Sequence, residues 1–220
     1  MTTLTTPPCA AVVSRLFAEA ATSDARLHQR RRALAESERA RLRASNSDYR
    51  ALYTSLKEFY LAVSPETATL LYMLARSCRA ISIVEFGTSF GISTLHLAAA
   101  LRDNGGGHLI GTEFEPAKVA QARANLAAAG LDDLVEIRSG DAVETLAREL
   151  PETIDFVLLD GAKGLYPRVL ALLEPRLRPG ALVVADNADQ CPEYLTRVRD
   201  VAGGYVSVPF TADVEISMKA

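Results

Sequence analysis

The chain has 220 residues, 49% hydrophobic and 23% charged, with a formal net charge of -3. That length suits one α/β domain with extra helices and a sizeable core. The charge balance gives no argument for a nucleic-acid or anionic-membrane partner, and no run approaches the ~18 apolar residues of a membrane span.

The start, Met1 to Ala11, lacks the charged head and long apolar stretch of a signal peptide. Cys9, Cys78 and Cys191 are widely spaced and form neither a metal-type pair nor a disulfide framework. The expected setting is therefore a reducing cytoplasm, with the thiols buried or incidental.

Residues 1–10, rich in Thr and Pro, are expected to be disordered. From residue 11 to 62 the pattern is helical and holds no strand-like run. An arginine-rich stretch from Arg26 to Arg43 carries Leu27, Leu34 and Leu42, with Gln29, Glu36 and Glu38 among the basic residues. The mixed charge reads as a solvated helix rather than an RNA-binding one. Leu52, Leu56, Phe59 and Tyr60 recur at helical spacing. Residues 1–62 thus read as a helical cap with a possible dimer surface, and residues 63–220 as the main domain.

Ser64-Pro65-Glu66 marks a helix start. Beyond it the patterns alternate. Helices are expected near 65–78, 91–102, 115–129, 141–149, 165–176 and 191–201. Strands are expected near 81–86, 108–113, 134–138, 154–159, 181–186, 204–209 and 213–219. The alternation implies βαβ units in a Rossmann-like, doubly wound α/β fold with a mostly parallel sheet. The last two runs are too close for a crossover helix and must pair antiparallel, with Pro209 near a strand end or edge.

The turn after the first strand reads Glu85-Phe86-Gly87-Thr88-Ser89-Phe90-Gly91-Ile92-Ser93. Strand, glycine turn and helix form the usual grip on a nucleotide-like cofactor. Gly87 would let the chain turn sharply, and Gly91 would let backbone approach a ligand. The spacing is Glu-x-Gly-x-x-x-Gly, not the dinucleotide fingerprint. A carboxylate at Glu85 opposes a pyrophosphate and suits a cationic ligand, which favours S-adenosylmethionine over NAD.

The second strand ends at Glu113, whose carboxylate could accept both ribose hydroxyls. Phe114 could stack on adenine or pack in the core. After the third strand, Gly140-Asp141-Ala142 could read the adenine edge, and Asp141 could cap the next helix.

The fourth strand runs into Asp160-Gly161-Ala162-Lys163 and then Tyr166, and the fifth into Asp186-Asn187. Alone, each acid could simply cap a helix. If the strands are neighbours, Asp160, Asp186 and Asn187 converge as an oxygen set suited to Mg²⁺. Lys163, near such a cation, could have a lowered pKa and act as general base on a bound hydroxyl. Tyr166 could pack or position substrate.

As a set in this order, Glu85-x-Gly87-x-x-x-Gly91-x-Ser93, Glu113, Gly140-Asp141-Ala142, Asp160-x-x-Lys163-x-x-Tyr166 and Asp186-Asn187 resemble the class I S-adenosylmethionine-dependent O-methyltransferases. The similarity is to their cation-dependent catechol and caffeoyl-coenzyme A branch, over residues 63–219. The resemblance implies that Glu85, Gly87 and Ser93 hold the methionine end, with a further contact from Val63. It implies Glu113 on the ribose, and Phe114, Asp141 and Ala142 around the adenine. Asp160, Asp186 and Asn187 would bind Mg²⁺, and Lys163 would deprotonate a small phenolic acceptor. A homodimer is also implied.

The chain departs from that family at Gly161-Ala162, where a second acid is common, and at Thr211-Ala212-Asp213-Val214, where an Asp-Gly pair is common. Competing readings are a metal-independent methyltransferase of the same fold, a Rossmann NAD-dependent oxidoreductase and a non-catalytic cofactor-binding scaffold.

Overall fold

A computed structural model of the chain describes residues 1–33 and 49–220. Part of the arginine-rich stretch, including Leu34, Glu36, Glu38 and Leu42, lies outside the described residues. Among the described residues, no helix is long and apolar enough to cross a membrane.

One seven-stranded sheet forms the centre, in the order β3-β2-β1-β4-β5-β7-β6. Its strands are β1 (Ser82–Phe86), β2 (His108–Glu113), β3 (Val135–Ser139), β4 (Ile154–Leu159), β5 (Leu177–Ala185), β6 (Tyr205–Pro209) and β7 (Glu215–Lys219). β1 through β5 are parallel. β7 lies antiparallel between β5 and β6, as the short final connection required. β1 pairs with both β2 and β4, so the strand order reverses there. Ligands of open α/β sheets bind at such a switch point, beyond the carboxyl ends of the strands.

Among the described residues the helices are α1 (Cys9–Ala33), α2 (Tyr49–Ser55), α3 (Pro65–Ser77), α4 (Ile92–Asn104), α5 (Pro116–Ala129), α6 (Ala142–Thr145), α7 (Tyr166–Leu173) and α8 (Pro192–Arg199). Side chains alternate across each strand. Ile83, Leu109, Phe156 and Leu158 enter one cluster with residues of α1, α3, α4 and α5. Val84, Phe86, Val157 and Leu159 enter the other, with α7 and α8. α3 starts where Ser64 accepts a hydrogen bond from the amide of Thr67 at 3.0 Å, with Pro65 in the first turn.

The tertiary structure corrects three expectations. Residues 1–10 are ordered: the amide and hydroxyl of Thr3 bond the carboxylate of Asp103 (3.1 and 2.5 Å), and Cys9 is buried. The helix expected near 141–149 is a single turn, because the Arg138 guanidinium takes the carbonyls of Thr145, Arg148 and Glu149 (2.8–2.9 Å). β5 begins at Leu177, well before 181. There Arg178 Nε bonds Asp155 Oδ1 at 2.5 Å, and the pairing with β4 shifts register between Ile154 and Phe156.

Candidate cofactor and reaction site

Glu85 lies on the α4 side of β1 and has no exposed surface. Its carboxylate accepts hydrogen bonds from Thr88 Oγ1 (2.8 Å), Ser93 Oγ (2.7 Å) and Thr94 Oγ1 (2.5 Å). Burial pushes its pKa up to about 7, against the pull of these hydroxyls. Glu85 is thus the post around which the turn from Gly87 to Ser93 is wound.

Gly87 (φ 103°) could not be another residue. A Cβ there would lie 2.3 Å from the carbonyl oxygen of Asp160. Gly91 differs from its expected role. It takes φ 93° at the start of α4, and a Cβ there would meet Ala122 at an ordinary 3.6 Å, so the backbone conformation is what calls for glycine.

Above the turn is a cavity of about 10 Å³, lined among others by Tyr60, Val63, Gly87, Ser89, Ser93 and Asp160. Four of these, Val63, Gly87, Ser93 and Asp160, were singled out in the sequence. Tyr60 was not placed there. Its carbonyl accepts from Ser89 Oγ (2.7 Å), and its ring stacks on Phe90 with centroids 4.2 Å apart. Lys118 was missed altogether. It is 4% exposed, donates to Ser89 Oγ at 3.1 Å and faces the Phe90 ring. A lone lysine in an alanine-rich helix carries no sequence signal for this; the hydroxyl-rich turn around Glu85 did carry one.

Glu113, at the end of β2, accepts from the amides of Ser89 and Glu115, both at 2.8 Å. Each oxygen keeps a further lone pair for a diol. Phe114 is half-buried beside it, and Ala142 is buried at the start of α6. Asp141 does cap α6: its Oδ1 accepts from the amide of Val143 at 2.9 Å. Its Oδ2 accepts from the Tyr49 hydroxyl and from Arg50 Nη2 (2.6 Å), partners the sequence did not suggest.

β4 and β5 are neighbours, with Leu159 opposite Ala185. Asp160 and Asp186 therefore emerge side by side, each anchored through its amide: Asp160 to the carbonyl of Phe86 (2.8 Å), Asp186 to that of Leu159 (2.9 Å). Lys163 Nζ bonds Asp160 Oδ1 at 2.9 Å. Burial and the neighbouring Asp160 push Asp186 up to about 7. Burial raises Asp160 as well, despite Lys163.

Without a cation, the charge of Lys163 is set by burial and by Asp160. Burial works against the ammonium, but Asp160 outweighs it and the pKa is raised. Asn187 follows Asp186 in a left-handed turn (φ 48°) that asparagine tolerates. Among the described residues, no three His, Cys, Asp or Glu side chains cluster as a metal site; a third ligand here would be the Asn187 amide. Two buried carboxylates side by side, both raised by burial and Asp186 also by the charge of Asp160, fit a hard cation. Tyr166 is fully buried and donates to the carbonyl of Asp186 (2.7 Å), so it packs. Gly161 lies under Phe86, where a Cβ would stand 2.3 Å from the ring.

A methyltransferase-domain family model matches residues 84–188. A catechol O-methyltransferase of Niastella koreensis is 38% identical over 130 residues, 58% of each chain, so the match spans less than two thirds of that relative. A Mycolicibacterium smegmatis protein classed with the O-methyltransferases is 31% identical over 150 residues, 64% of this chain and 71% of the relative. The O-methyltransferase TomG of Streptomyces achromogenes, solved with S-adenosylmethionine, superposes with a TM-score of 0.64 at 25% identity, over 81% of this chain and 89% of TomG. With this sheet order and this glycine turn, the chain belongs to the class I S-adenosylmethionine-dependent O-methyltransferase family.

Proposed function

We propose that this protein moves the methyl group of S-adenosylmethionine to a hydroxyl of a small phenolic or catechol-like acceptor. The observation that carries the reading is the Asp160–Lys163–Asp186 constellation at the ends of β4 and β5, with Asp160 also lining the cavity over Gly87 and Ser93. The Niastella relative's name supports the acceptor class.

Val63, Gly87 and Ser93 would bracket the methionine end, over the buried charge of Glu85. Glu113 would take the ribose hydroxyls, and Phe114, Asp141 and Ala142 would frame the adenine. Asp160, Asp186 and Asn187 would hold Mg²⁺, which when bound orients vicinal oxygens and favours the anionic one. Lys163, held on Asp160 Oδ1, would act as base once its ammonium has given a proton to solvent; the neutral Nζ would then take the proton of the acceptor hydroxyl. The acceptor oxygen then forms its bond to the methyl carbon as the carbon–sulfur bond breaks, and the electron pair leaves with sulfur. Burial excludes water from that line.

One observation favours a second reading, a metal-independent methyltransferase. The Lys163–Asp160 ion pair and the raised Asp186 already balance the charge of the site. The test is calorimetric titration with S-adenosylmethionine and, separately, NADH, followed by methylation of catechols with Mg²⁺ and with chelator. Binding of S-adenosylmethionine alone and chelator-sensitive turnover are expected. Turnover that survives the chelator selects the second reading, and binding of NADH alone refutes both.

A further inference from the structure

Helix α2 sits across the mouth of the crevice. Tyr49 and Arg50 bond Asp141, which follows β3. Thr54 Oγ1 donates to Glu115 Oε1 (2.7 Å), which follows β2. The Tyr53 hydroxyl donates to the carbonyl of Gly161 (3.2 Å), which follows β4. In the sheet these loops come in the order β3-β2-β1-β4, so the contacts of α2 straddle the glycine turn after β1. The small cavity over that turn is walled by residues 60–63 and by no residue of α2; what α2 covers is the Asp141 side of the crevice. A cofactor that is to use the Asp141 carboxylate must displace Tyr49 and Arg50 from it.

The piece placed to move is α2. It has seven residues, none of them buried. A helix that short has little stability of its own. The chain on its carboxyl side is fixed. Phe59 is buried, the Tyr60 amide donates to Ser23 Oγ (3.3 Å), and the Tyr60 hydroxyl bonds Glu19. Between the two lie half-buried Leu56 and the exposed Lys57 and Glu58, a turn closed only by local backbone hydrogen bonds such as Phe59 N–H to the carbonyl of Leu56 (3.0 Å), about which α2 can swing while residues 59–63 stay seated. Asp141 is the point of competition: Tyr49 and Arg50 saturate its Oδ2, and the amide of Val143 holds Oδ1.

We propose that α2 is an autoinhibitory strap. Tyr49 and Arg50 occupy the Asp141 carboxylate that the adenine end of the cofactor would use, and admission of the cofactor lifts α2 off the crevice. The proposal rests on the S-adenosylmethionine reading above and adds to it a closed state that the cofactor must open.

The test compares the wild-type chain with Tyr49→Phe/Arg50→Ala. Neither change touches the cavity lining. S-adenosylmethionine association is followed by stopped-flow tyrosine fluorescence, the affinity by calorimetry, and amide exchange over residues 49–55 with and without the cofactor. The double variant should associate about tenfold faster and bind tighter, the factor that ~1.4 kcal/mol of lost closed-state contact represents. Exchange at 49–55 should rise when the cofactor binds. Unchanged association, or weaker binding with slower exchange at 49–55, would overturn the strap and make α2 part of the cofactor's own walls. Binding by neither protein would overturn the cofactor reading itself, while binding by the variant alone would support the strap in its strongest form.

Discussion

The Cα of Gly87 faces the carbonyl of Asp160 so closely that a Cβ would stand 2.3 Å from its oxygen. The turn that would cradle the cofactor and the loop that would handle the acceptor are therefore one packed unit. Gly87→Ala adds a side chain both to a positive φ and to that contact. It should cost about 2–4 kcal/mol of stability and weaken S-adenosylmethionine binding. Chemical denaturation and calorimetry would check this, and an unchanged denaturation midpoint would refute the close packing.

Glu85 makes stability depend on pH. Its folded pKa, about 7, lies above its ordinary 4.5, so the native state holds the proton more tightly than the unfolded chain. Stability should fall as pH rises from about 4.5 to about 7 and then level off. The contribution of Glu85 to that fall is on the order of 3 kcal/mol. Asp186 adds a slope of the same sign. Glu85→Gln should flatten part of it, which urea denaturation at a series of pH values would show. An identical slope in the variant would mean that Glu85 ionises freely.

Lys163→Met removes the proposed base but none of the cofactor's expected contacts. Turnover should drop about 10²–10⁴-fold, with S-adenosylmethionine affinity within about threefold of wild type. Asp186→Asn should lower the Mg²⁺ dependence along with the rate. Full turnover by Lys163→Met would remove that lysine from the chemistry.

Leu16 of α1 is fully buried in the cluster that also holds Ile83 and Phe156 of the sheet. Leu16→Ala should cost about 2–5 kcal/mol in a single cooperative transition. A separate, earlier transition for α1 would instead make it a detachable cap.

Much of this protein was legible in its sequence because it is local. Strand-length apolar runs such as 154–159 can only be buried strands, and glycines at 87 and 91 mark a turn into a helix. Order along the chain also carried the positions of Glu113, Asp141, Asp160 and Asp186, since each closes a strand at the same edge of a parallel sheet. Where elements ended was decided elsewhere. Arg138 stops α6 by claiming the carbonyls of Thr145, Arg148 and Glu149, and Asp155 with Arg178 extends β5 backward; both act through side chains outside the element they bound.

The charge state of the site was likewise decided in three dimensions. A lysine three residues after an acid does not announce whether it will be freed or pinned. Here burial and the β4–β5 pairing pin it to Asp160. Most of all, the sequence gives Tyr49, Arg50, Tyr53 and Thr54 no reason to meet Asp141, Gly161 and Glu115, which are at least 61 residues away. Propensity and periodicity set the elements and the order of the loops. Packing across the switch point set which loops touch, and hence what stands over the crevice.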